Sequence, residues 1–141
     1  MKAFVIHRYG KNEVGQIADM PEPALRDDDV LVQIHAASVN VLDIRIRSGA
    51  LKPILRYRLP LILGNDMAGT VVRVGPRVRR FHPGDAVYAR PDQERIGTFA
   101  QFIAVREDDV APKPRNLSMA QAASIPWSAS RPGRHWSRSR S

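Results

Sequence analysis

A chain of 141 residues with 43% hydrophobic and 26% charged side chains has the composition of one globular domain with a real core, not of a disordered segment. It contains no cysteine, which excludes disulfides and thiolate zinc sites. The net charge of +8 invites a nucleic-acid reading, yet residues 127–141 carry four Arg and no acid, leaving 18 basic against 14 acidic residues elsewhere.

No apolar run approaches the ~20 residues of a bilayer span. The opening MKAFVIHRYG has no long apolar stretch followed by a small-residue cleavage site. The expectation is a cytoplasmic protein with no membrane partner.

Taken in chain order, residues 2–7 and 14–20 alternate loosely around a Gly-containing turn and predict an opening hairpin. Residues 30–36 form the clearest strand, with Val30, Val32, Ile34 and Ala36 on one face and His35 half-exposed on the other. Asn40 before Val41, with Asp43 three residues on and Gly49 as a stop, predicts a short helix over 41–48. Prolines bound an irregular loop over 52–60. Strands follow at 69–74, 85–89, 98–105 and 110–114, with a loop over 90–97. A final helix starts at Met119 under a Ser118 cap.

Many short strands with few helices predict a mainly β fold, a partly open barrel. No βαβ unit and no G-x-G-x-x-G is present, so a dinucleotide-binding domain is not expected here. Arg73, Arg77, Arg79 and Arg80 follow a strand without interleaved aromatics, which reads as a solvated turn rather than a phosphate patch. His82 sits in a Phe-His-Pro-Gly turn and is expected to be structural.

The most specific stretch is Gly64-Asn65-Asp66-Met67-Ala68-Gly69-Thr70-Val71-Val72-Arg73-Val74-Gly75. Gly84-Asp85-Ala86-Val87-Tyr88 and Gly97-Thr98-Phe99-Ala100 follow it, and Val39-Asn40-Val41-Leu42-Asp43 with Arg47-Ser48-Gly49 precedes it. In this order and at these intervals, residues 1–126 resemble the GroES-like catalytic domain of the medium-chain dehydrogenase/reductase superfamily. The zinc alcohol dehydrogenases of that superfamily place a Cys and a His-Glu pair where this chain has Asn40, Asn65 and Asp66. Asn is a poor zinc ligand. The resemblance therefore points to the zinc-independent quinone oxidoreductase-like branch. It implies NADPH as cofactor, no zinc, a quinone or α,β-unsaturated carbonyl as substrate, and frequent homodimers.

The resemblance also implies roles. Without zinc, hydrogen-bond donors must meet the negative charge developing on the substrate oxygen. Asn40 would lie near the nicotinamide and offer its amide, although capping of the helix alone accounts for it equally well. Asp43 is read as catalytic or, more economically, as the reciprocal partner of the capping box. Arg45 stands where relatives often carry Tyr; a guanidinium can polarise an oxygen but cannot surrender its proton. Asp66 is assigned to the cofactor side, orienting its neighbours. Gly64, Gly69 and Gly75 serve turns and close backbone approach.

After Pro126 the expected Leu-rich linker is replaced by WSASRPGRHWSRSRS. In a frame shifted by one base, Trp-Ser coded TGG TC becomes Val and His-Trp becomes Leu, where the linker pattern places them. The expectation is an out-of-frame, disordered tail over 127–141 that displaces the cofactor domain and leaves the chain inactive alone. The nucleotide sequence across these codons decides it. The alternatives are a stand-alone binding module, or an Arg/Ser arm holding RNA through its phosphates, for which the charge distribution argues little.

Overall fold

The computed structural model describes residues 1–10, 15–39, 41–49, 59–91 and 95–124. Asn40 and the tail 127–141 lie outside the described residues, as does most of the proline-bounded loop. The opening hairpin forms as expected. Strand β1 (Lys2–Ile6) pairs antiparallel with β2 (Gln16–Asp19), from Lys2↔Asp19 to Val5↔Gln16. The other edge of β1 takes β4 (Leu61–Ile62), a two-residue strand that the proline-rich surroundings conceal in the sequence.

The second sheet has the order β7-β3-β5-β6-β8 and is antiparallel at every step. Its members are β3 (Asp29–Ser38), β5 (Asp66–Val74), β6 (Ala86–Ala89), β7 (Phe102–Arg106) and β8 (Val110–Pro112). Residues 99–101 stitch the sheets together: Phe4 N donates to Phe99 O at 2.8 Å, Gln101 N to Lys2 O at 3.2 Å, and Ile34 N to Gln101 O at 2.8 Å. The result is a curled, mainly β half-barrel with two short α-helices among the described residues, α1 (Val41–Ser48) and α2 (Met119–Ala123). Among the described residues no helix is long and apolar enough to cross a membrane.

The main core gathers Val30, Val32, Met67, Val71, Val87 and Val105, all essentially removed from water. One expectation about this core is corrected. Ile34 packs against it, but Ala36 packs instead with Ala68 and α2. The cause is a bulge at His35: Ile34 pairs with Gly69 and Ala36 with Ala68, so one extra residue turns the strand over. His35 itself is exposed, its Nε2 3.0 Å from Thr70 Oγ1. β5 begins three residues before its expected start, and β7 four residues after, because 99–101 are used in joining the sheets.

The basic turn is ordered by acids. Glu107 Oε2 accepts from the backbone N–H groups of Arg79 and Arg80, and Arg80 also reaches Asp108 at 3.2 Å. At the start of β3, Asp29 is buried and takes both guanidinium nitrogens of Arg95, at 2.8 and 2.7 Å, and the N–H of Arg26 at 3.0 Å. Burial alone would raise the Asp29 pKa; the hydrogen bonds from Arg95 and Arg26 and their positive charge outweigh it and hold the carboxyl below its ordinary 3.8. A depressed carboxylate stabilises the fold above its unfolded pKa, and that contribution disappears as pH falls through the lower, native value. Urea unfolding followed downward from pH 5 should therefore lose stability below 3.8 in a component that Asp29→Asn abolishes. An unchanged acid profile in the variant would contradict the assignment.

Candidate functional site

Three segments converge where β5 begins. The first is α1, whose bounds match the expected helix. Asp43 in its first turn suits the positive end of the helix. Gly49, at φ +85°, ends it by donating its N–H to Ile46 O at 3.1 Å. Ile46 is buried against Ile6, Leu61 and Leu63, which seats α1 on the smaller sheet. Asp43 also faces inward and is 3% exposed, while Ile44 and Arg45 face solvent.

The second segment is the corner Gly64-Asn65-Asp66. Gly64 has φ +112°, and its carbonyl accepts from the N–H groups of Gly97 and Thr98 at 3.0 and 3.3 Å. This places Asn65, 1% exposed, against α1, where its Nδ2 donates to Asp43 Oδ1 at 2.6 Å. The capping-box partnership expected of Asp43 would involve Asn40, which lies outside the described residues.

The third segment is the end of β6. Met67 pairs with Ala89, so the next step of the ladder sets Arg90 beside Asp66. Arg90 Nη1 lies 2.9 and 3.0 Å from the two Asp66 carboxylate oxygens, with both side chains under 10% exposed. A buried carboxylate is tolerable only with such a partner.

The three described candidate residues, Asp43, Arg45 and Asp66, are thus not one cluster. Asp43 and Asp66 are each committed to a buried partner in neighbouring parts of the same corner. Arg45 lies two residues past Asp43, about 200° around the helix, so it cannot face the same partner. Its guanidinium stays at the surface. Sequence reasoning missed Arg90. The available signal was a charged residue directly after the apolar run Val87-Tyr88-Ala89, opposite the Asp66 strand. It also missed Thr98, which is fully buried against Gly64, its hydroxyl without a hydrogen-bond partner among the described residues. Among the described residues, no three His, Asp or Glu side chains are grouped to hold a metal ion.

Comparison with known proteins places this geometry. Residues 26–115 match the alcohol dehydrogenase GroES-like domain. The chain is 38% identical over 143 aligned positions to the human mitochondrial NAD(P)H oxidoreductase RTN4IP1, covering 92% of this chain and 36% of that protein. It is 36% identical to a chloroplastic NADPH-dependent alkenal/one oxidoreductase of Arabidopsis thaliana, covering 89% of this chain and 34% of the relative. The quinone oxidoreductase of Coxiella burnetii superposes with a TM-score of 0.83 at 32% identity, over 90% of this chain and 41% of that one. The chain therefore spans about a third of the length of these curated relatives. With the half-barrel, its sheet order and the motif residues in their places, the chain belongs to the alcohol dehydrogenase GroES-like domain family of the medium-chain dehydrogenase/reductase superfamily.

Proposed function

We propose that this chain forms the substrate-facing domain of an NADPH-dependent reductase that passes hydride to quinones or α,β-unsaturated carbonyls without a metal. The observation that carries the reading is the buried Asn65–Asp43 hydrogen bond. At a position where the zinc enzymes of the superfamily carry a His ligand, this chain turns an amide nitrogen inward onto a carboxylate. An amide nitrogen has no lone pair to offer a cation.

NADPH, when bound, supplies the hydride. The described residues contain no βαβ unit and no glycine-rich turn opening a helix, so they do not fit the cofactor's pyrophosphate. On this reading Asp43 and Asn65 hold α1 to the corner, and Asp66 with Arg90 holds the corner to β6. The donors toward an oxygen gaining charge would be Asn40, a role carried by the resemblance alone, and the exposed Arg45 of α1. Asp43 and Asp66 act by positioning.

The test compares the 141-residue chain with residues 1–126 joined through a Leu-rich linker to a dinucleotide-binding domain, using 1,4-benzoquinone and but-3-en-2-one. The chain alone should show no saturable NADPH oxidation, because nothing aligns the hydride. The extended protein should turn over, and a chelator should leave its rate unchanged. No turnover in the extended protein would sink the reductase reading, and loss of rate with chelator would sink the metal-free one.

A further inference from the structure

At the opposite end of the larger sheet the structure carries a second feature. Ser38 pairs with Asp66 near the candidate site, whereas Asp29 begins the same strand nine residues away, about 30 Å along the ladder. Near that end an open groove of about 290 Å³ is lined by Pro21, Pro23, Ile62, Ile96, Phe102 and Ile103. It adjoins a polar recess of about 630 Å³ formed by Asp27, Asp28, Asp29, Arg77 and Arg106. Arg26 and Arg95 line both.

The two arginines differ in what they have left to give. Arg95 is fixed: both terminal nitrogens bond Asp29, and one also reaches Ala104 O at 3.2 Å. Arg26 donates its backbone N–H to Asp29, but its exposed guanidinium has no hydrogen bond or ion pair among the described residues. With Asp29 committed to Arg95, the Arg26 guanidinium is left at the mouth of the apolar groove as a group suited to carboxylates; Met1 also lines the groove, its ammonium donating to Met20 O at 2.7 Å. Asp27 and Asp28 line the recess but not the groove, and Arg77 and Arg106 in the same recess offset their charge.

We infer that this groove binds a small monocarboxylate with an apolar body, the body against Pro23, Ile62 and Phe102 and the carboxylate on Arg26. Its volume sits at the lower end of ligand pockets, about 300 Å³, and so admits a short aliphatic or aromatic acid. One wall of the groove, at Ile62 and Gly97, borders Gly64 of the corner, but Arg26 lies at the Asp29 end, and the inference does not depend on how the chain's own reaction is read.

The test is an amide-resolved NMR titration of the full chain with hexanoate, 1-hexanol and inorganic phosphate. Hexanoate should shift the Ile62, Ile96, Gly97 and Ile103 amides saturably, with a dissociation constant of roughly a millimolar or below. Hexanol and phosphate should leave them in place. Arg26→Ala keeps the backbone bond to Asp29 and should weaken hexanoate roughly tenfold, the worth of one charge-assisted hydrogen bond. Arg26→Lys should recover part of that loss. Equal shifts with hexanol, shifts with phosphate alone, unaltered hexanoate binding by Arg26→Ala, or no shifts at all would each overturn the inference.

Discussion

Replacing Arg90 by Met should lower the unfolding free energy by about 3 to 5 kcal/mol, the cost of leaving a buried carboxylate without its cation. The pair is enclosed, with side-chain exposures of 5% for Arg90 and 8% for Asp66, so water cannot take over the lost interaction. Surface pairs behave differently: Lys2 and Asp19, at 2.7 Å but 61% and 78% exposed, should be replaceable with little loss of stability. Urea unfolding at neutral pH measures both. The double variant Asp66→Asn, Arg90→Met removes both charges and should recover a large part of the single-variant loss. If Arg90→Met costs no more than the surface pair, the corner is hydrated in solution and the positioning role of Asp66 fails with it.

Gly64→Ala should be the most damaging single-methyl change in the candidate site, at about 3 kcal/mol or more, from left-handed backbone strain together with overpacking. At φ +112° the new Cβ would collide with Thr98 Oγ1 and stand 2.8 Å from Phe99 N and 2.9 Å from Phe99 Cδ1. The backbone cannot move aside cheaply. Phe99 N is held by Leu63 O at 3.0 Å, and Gly64 O holds the next turn of chain. Gly84→Ala supplies the control, since it shares a positive φ of +99° but meets nothing within 4 Å. It should cost only the strain, about 1 kcal/mol. Thermal unfolding separates the two, and amide exchange in α1 should accelerate in Gly64→Ala because Asn65 anchors that helix. Equal losses at Gly64 and Gly84 would show that the Thr98–Phe99 wall yields.

Much of the architecture was legible before any coordinates. Alternation identified β1, β2 and β3, and the motif glycines located the turns around β5 and β6. Ser118 with Gln121 forms a reciprocal capping box, Gln121 N to Ser118 Oγ at 3.1 Å and Ser118 N to Gln121 Oε1 at 2.9 Å, at the cap read from the sequence. These features are local: a period of two, a cap or a turn residue acts over a few positions. β4 was not legible, because two residues carry no period and owe their pairing entirely to β1.

The candidate site divides in the same way. Sequence alone determined the family pattern, the helix over 41–48, the absence of thiolate ligands, and the identity of Asn65 and Asp66 at the corner. Only the tertiary structure decided their partners. Asn65 meets Asp43 across 22 positions and Asp66 meets Arg90 across 24, while Arg95 closes on Asp29 across 66. Such contacts depend on strand register and on bulges such as the one at His35, where one extra residue moves Ala36 from the core to the face beneath α2. A residue's type decides what it can bond, but the chain's return path decides what stands within 3 Å of it.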